Sequence, residues 1–153
     1  MRETPLYDDV LIPTDGSQTV DQTLEHALPI AANNDATIHA LSIVDARIVQ
    51  AAADDTREEI TTQLERECDA AAAAVVDRAS ETGLEAVTSV RRGTPAKAIL
   101  EYTDENEIDL IVIGTHGKSP REKQITLGSV SERVVDRSPV PVFVVRSVED
   151  PSG

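Results

Sequence analysis

The sequence predicts an α/β domain built on a five-stranded, mostly parallel sheet of order 3-2-1-4-5, with helices on both faces. Three observations predict it. The apolar pattern switches repeatedly between a strand-like run and a helix-like spacing of three to four, giving β-α-β-α-β-α-β-α-β along 153 residues. The run Leu110 to Ile113 is unbroken and branched, as expected of a strand buried on both faces. Parallel neighbours need right-handed crossovers, and ligands in such folds sit at the carboxyl ends of strands where the strand order reverses. A chain that winds outward from strand one and restarts at strand four would bring Asp15 and Gly114 to one crevice.

Taken in order, Asp9 to Thr14 reads as a short buried strand ending in Pro13-Thr14-Asp15-Gly16-Ser17. Ser17 or Thr19 is a suitable cap for a helix carrying Val20, Leu24, Ala27 and Leu28 on one stripe, which Pro29 should kink or end. Asn33-Asn34-Asp35 reads as a turn and Ala36 to Val44 as strand two. Asp45 to Thr56 carries little pattern and reads as a surface loop or frayed helix start. A long helix follows, with Ile60, Leu64, Cys68, Ala71 or Ala72, Val75 and Ala79 on its apolar stripe and Gly83 at its end. Leu84 to Val90 is strand three. Thr94-Pro95 opens a helix whose inner face is Ala96, Ile99, Leu100 and Thr103. After strand four, Ser129 and Glu132 have capping-box spacing, and Val130, Val134 and Val135 are placed on one face of the last helix. Ser138-Pro139 stops that helix, and Val140 to Val145 is strand five, at the sheet edge.

Composition bounds the function. Apolar residues make up 40% of the chain, enough for one core, and a single domain over 1–153 with its body at about 7–146 is expected. Cys68 is the only cysteine and sits on an apolar stripe, so a buried, inert thiol is expected and an internal disulfide is excluded. The start lacks the apolar core of a secretion signal, and Ala70 to Val76 is too short to span a bilayer, so the expected location is cytoplasmic. The net charge is −14, from 28 acidic side chains against eleven arginines and three lysines. Such a surface repels nucleic acid and anionic membranes.

The densest chemical signal is Gly114-Thr115-His116-Gly117, followed by Gly128-Ser129-Val130-Ser131. Glycines at a strand's carboxyl end allow close backbone approach, and a helix start supplies free N–H groups and a positive dipole end for an anion, typically phosphate. Neither the Walker loop nor the dinucleotide fingerprint is present. Each residue also has a plainer reading. Ser129 serves as an N-cap, Asp15 as a turn former before Gly16, Val44 as a strand residue, and His116 and Lys118 as loop side chains. His26, His39 and His116 are too scattered to suggest a metal cluster.

Pro-Thr-Asp-Gly-Ser (13–17), Gly-Thr-His-Gly (114–117) and Gly-Ser-Val-Ser-Glu-Arg-Val (128–134) together resemble the universal stress proteins, over roughly Tyr7 to Arg146. The ATP-binding branch of that family has the pattern Gly-x2-Gly-x9-Gly-Ser/Thr. Here the first interval fits and the second holds ten residues, Lys118 to Leu127. The resemblance implies a Rossmann-like, adenine nucleotide alpha hydrolase-like fold that binds ATP, with Mg²⁺ arriving on the nucleotide. It also implies that Asp15, in the Pro13-Thr14-Asp15 segment, meets the ribose or adenine amine, and that the Val44 backbone meets the adenine edge. Gly114, Thr115, His116 and Gly117 would wrap ribose and phosphates, with Gly128, Ser129, Val130 and Ser131 completing the cradle. A two-fold homodimer through Val140 to Val145 is implied as well.

With the resemblance in view, three functions are expected. The first is a nucleotide-dependent stress-response module. The second is a slow ATPase or adenylyl-transferring enzyme in the same site, for which only His116, Asp15 and hydroxyls are on offer, without a triad. The third is a nucleotide-free interaction protein of the same family. The acid-rich, lysine-poor surface with three aromatic residues also resembles proteins of salt-loving cells, where a Debye length of a few ångströms mutes self-repulsion. Dialysis into low salt is therefore expected to erase the folded circular-dichroism signal. A thermal midpoint indifferent to salt would refute this.

Overall fold

The computed structural model describes residues 6–16, 19–115 and 128–146. Its strands are β1 (Asp9–Pro13), β2 (Thr37–Asp45), β3 (Ala86–Gly93), β4 (Leu110–Gly114) and β5 (Val142–Val145). Its helices are α1 (Thr19–Asn34), α2 (Ala46–Ala51), α3 (Arg57–Glu81), α4 (Pro95–Glu105) and α5 (Ser129–Arg137). The sheet order is β3-β2-β1-β4-β5, as expected, and every pairing is parallel.

Alternation along the strands sorts the core into two layers. Val10, Ile12, Ile38, Ala40 and Val112 face Leu24 and Ala27 of α1 and Ala72, Val75 and Ala79 of α3. Leu11, Leu41, Ile111 and Ile113 face Ala96, Ile99 and Tyr102 of α4 and Val134 of α5. The alanines of α3 let that helix lie close on the sheet. Cys68 is buried and packs with Val44 and Val49, in keeping with an apolar thiol.

Polar ties fix the amino end of the sheet. The Asp109 carboxylate accepts from the Asp8 and Asp9 amides at 2.8 and 3.0 Å, locking β4 beside β1. His39 bridges two elements, with Nε2 2.9 Å from Asp9 Oδ1 and Nδ1 2.7 Å from the Tyr102 hydroxyl. A carboxylate only accepts, so Nε2 carries the hydrogen and donates to Asp9, and Nδ1 accepts from the Tyr102 hydroxyl. Burial pushes the Tyr102 phenol up, which keeps it a donor. Removing either partner would strand a buried polar atom, at a cost of about 1–3 kcal/mol.

Several local expectations are corrected. Pro29 neither kinks nor ends α1 but lies inside it. Pro29 and Glu25 are both exposed, so the ladder bond that proline removes lies on the wet side, while Leu24, Ala27, Leu28 and Ala31 anchor the other face. Asn34 ends that helix, and the turn is made by Asp35 at φ 53. Thr19 stands inside α1 and not at its cap, and Ser17 lies outside the described residues.

Of the segment expected as a surface loop or frayed helix start, residues 46–51 form α2 and residues 52–56 form the turn that leads into α3. Asp45 caps α2 by accepting from the Arg47 amide. Strand three starts later than expected because the Leu84 amide is held by the Ala79 carbonyl at the end of α3. It runs on to Gly93, in register with Asp45. Strand five is shorter than expected, because Ser138 holds both the amide and the carbonyl of Val140 in a turn. Leu100 is only half-buried, and Tyr102 takes the inward position on α4. Thr94 is the N-cap of α4, but its side chain makes no cap bond.

Candidate functional site

The first turn of α5 is tied directly to the end of β4. The Gly128 amide donates to Thr115 O at 2.7 Å, and Ser131 Oγ donates to Gly114 O at 2.6 Å. Thr115 is itself fixed by its amide, which donates to Val145 O at 3.0 Å. The expected capping box does not form. Gly128 is the N-cap and has no side chain to cap with, Ser129 is the first helical residue, and Glu132 lies one position too far along. The Glu132 amide instead closes the first helical bond, to Gly128 O at 2.9 Å. The amides of Ser129, Val130 and Ser131 are thus left without intrahelical acceptors at the positive end of the helix.

The buried face of α5 also differs from the expected one. Val134 is fully buried and Val130 packs beside it, but Val135 is 43% exposed and Ser131 takes the inward position. Gly114 stays in the strand, paired with Val145, so its contribution is a carbonyl that accepts from Ser131 and not a sharp turn. The left-handed conformation belongs to Gly16, at φ 84, directly after Asp15.

These ends surround a crevice of about 450 Å³ where the sheet order reverses between β1 and β4. Pro13, Thr14 and Asp15 form its β1 wall, Gly114 and Thr115 its β4 wall, and Gly128, Ser129, Val130 and Ser131 close it from α5. Nine of the residues singled out from sequence therefore converge. Val44 does not line the crevice. It is 2% exposed and packs with Val49 and Cys68, while its neighbours Ile43 and Asp45 line the opening. His116 and Gly117 lie outside the described residues.

Sequence reading missed the β2 side of the crevice. Ser42 Oγ donates to Thr14 O at 2.8 Å and holds the Pro13-Thr14-Asp15 segment in place. Beyond it stand Asp45, Arg47, Ile48, Leu64 and Glu67. Arg47 Nε and Nη2 donate to Asp45 Oδ1 and Oδ2 at 3.0 and 2.7 Å. The side-chain bonds from Arg47 hold the Asp45 carboxyl below the ordinary 3.8; burial opposes them, and the Arg47 amide and charge add to them. The position of Asp45 at the carboxyl end of a buried strand was the available signal, by the same rule that singled out Asp15. Among the described residues no group of three or more His, Cys, Asp or Glu is placed to hold a metal ion, and no helix is long and apolar enough to cross a membrane.

Fold and site together define a class: a doubly wound α/β domain whose switch-point crevice ends in a helix start without a side-chain cap. The chain belongs to the universal stress protein family, whose model it matches over residues 6–146. It is 39% identical over 142 residues to universal stress protein MJ0531 of Methanocaldococcus jannaschii, covering 92% of this chain and 83% of that one. The solved structure of protein MJ0577, from the same organism, is similar with a TM-score of 0.83 at 26% identity, covering 95% of this chain and 99% of that one. The universal stress protein of Archaeoglobus fulgidus in complex with dAMP shares the fold, with a TM-score of 0.64 at 18% identity over 92% of this chain and 98% of that one.

The Asp45 carboxyl ionises more readily folded than unfolded. Its stabilisation is therefore complete above the ordinary value of 3.8 and is lost as pH falls through the lowered folded value. Asp45→Asn keeps a capping acceptor and removes the charge. It should lower unfolding free energy by roughly 0.2–1 kcal/mol at neutral pH, with the deficit vanishing in strong acid. Denaturant titrations across pH check this, and a deficit that persists in acid would show that the charge is not its source.

Proposed function

We propose that the crevice binds an adenine nucleotide, ATP carrying Mg²⁺, and that the chain acts as a nucleotide-dependent regulatory module of the stress response, built as one domain. One observation carries this reading: the bare amides of Ser129, Val130 and Ser131, fastened to the end of β4 at the switch point of the sheet. Such an end receives phosphate without any positive side chain. In this reading Asp15 accepts from a ribose hydroxyl or the adenine amine; that Asp15, Gly114 and Thr115 line the same crevice supports it. His116 and Gly117 complete the glycine segment in sequence and belong to the same proposed site. The dAMP complex of the Archaeoglobus fulgidus relative supports the nucleotide class.

An anion on a chain of net charge −14 looks unfavourable, but contact distance decides the matter. Oriented amides act at roughly 3 Å, whereas distant carboxylates are screened over a Debye length of about 8 Å at physiological salt. Mg²⁺ bridging the phosphate oxygens lowers the charge that the crevice must receive.

The edge position of β5 supports a homodimer through the Val140 to Val145 segment. Phe143 is 39% exposed there, on a strand that pairs on one side only among the described residues.

Calorimetry with ATP and Mg²⁺ should show binding, with a rise in thermal midpoint as ligand stabilises the folded state. Neither heat nor shift at millimolar ATP would rule the reading out. Gly128→Leu should abolish binding and preserve helix content, since Gly128 has φ −66 and ψ 161, a conformation open to any residue. For the dimer, light scattering at working salt should give twice the 16.4 kDa chain mass, and a monomer mass would remove the claim.

A further inference from the structure

The two ends of the crevice differ in chemistry. Backbone amides stand at the β4 end. At the β2 end stand Ile43, Ile48 and Leu64 together with Asp45, Arg47 and Glu67. One strand, β1, lies between β2 and β4, so the ends are roughly 10 Å apart.

Among the described lining residues Arg47 is the one cation, and its charge is already met. Asp45 takes two of its N–H groups edge-on, at 3.0 and 2.7 Å. The same carboxylate accepts the Arg47 amide at 3.0 Å, so backbone and side chain are both held by one anchor. Asp45 is well buried, at 19% side-chain exposure, whereas Arg47 is 66% exposed. A guanidinium fixed along its edge keeps its planar faces available, and such a face stacks well on an aromatic ring. Beside it Ile48 is left 50% exposed, an apolar surface without cover.

We infer that Arg47, held flat by Asp45, is the platform on which the base of the bound nucleotide stacks. This rests on the nucleotide reading above and adds to it the residue that receives the base. Ile43, Ile48 and Leu64 supply apolar contact around the ring. Asp45 acts through Arg47, as a positioning residue. Its bidentate grip also withholds the cation from the phosphates, leaving those to the amides at the far end. Recognition by a flat cation depends on the plane of the base more than on its hydrogen-bonding edge, so Arg47 contributes affinity for any nucleobase, while Asp15 faces the polar groups.

The test uses the full chain, titrated calorimetrically with AMP and with ribose 5-phosphate, which lacks the base. Arg47→Ala should weaken AMP roughly three- to tenfold and leave ribose 5-phosphate unchanged. Arg47→Lys, which keeps the charge and loses the plane, should bind AMP as weakly as the alanine variant. Three outcomes overturn the inference while leaving the nucleotide reading intact: AMP binding unchanged in Arg47→Ala, full recovery in Arg47→Lys, or an equal loss for ribose 5-phosphate. A wild-type chain that binds neither AMP nor ATP overturns the nucleotide reading itself, and the platform with it. Arg47 is a surface side chain at the start of a short helix, so both variants should fold despite losing part of the ion pair, and an unchanged far-ultraviolet circular-dichroism spectrum confirms that they do.

Discussion

The hydrogen bond from Ser131 to the Gly114 carbonyl, at 2.6 Å, is the constraint on which the site depends. It joins the first turn of α5 to the last residue of β4, and Ser131 is only 5% exposed, so little water competes for it. With the Gly128 amide on Thr115, it determines where the helix start points. A helix end is a useful electrostatic object only when its direction is fixed relative to the ligand. Here two bonds, one from a side chain and one from the backbone, fix it against a strand that is itself clamped between β1 and β5. Gly128 has no capping side chain, so no cap occupies the donors of this helix start.

Across the crevice the chemistry is reversed. The β2 side is acidic, with Asp45 and Glu67, and its single described cation is bound by Asp45. The acid-rich composition thus reaches into the crevice as well as covering the surface. Attraction for an anion has to come from dipoles and not from net charge. Dipole interactions fall off faster with distance than those of charges, so they select for close fit. Under the proposed nucleotide reading, close fit to those dipoles, and not the overall field, selects the anion.

Much of this was legible in the sequence, for reasons particular residues make plain. Leu110 to Ile113 and Val10 to Ile12 are central strands, and continuous branched runs arise where both faces are covered. The strand order followed from them together with the switch-point rule. What stayed hidden depended on neighbours. Pro29 is harmless because its missing bond faces water, which no local pattern reveals. The β3 strand carries Arg91 and Arg92 because it lies at an edge, so its apolar signal faded before its pairing ended. Ser131 was expected only as part of the phosphate cradle, and its role as a tether stayed hidden because its partner, Gly114, is seventeen residues away in sequence. The α2 segment was obscure since Asp45 serves at once as strand end, helix cap and ion-pair partner.

The two borders of the sheet are unequal. β5 is four residues long and apolar, whereas β3 is eight residues long and carries Arg91 and Arg92 near its end. A chain with two equally adhesive borders would add copies at both and grow without limit. Charge on the longer border works against such addition there, so the homodimer proposed above would use one border and leave the other bare, a pairing that closes after two copies.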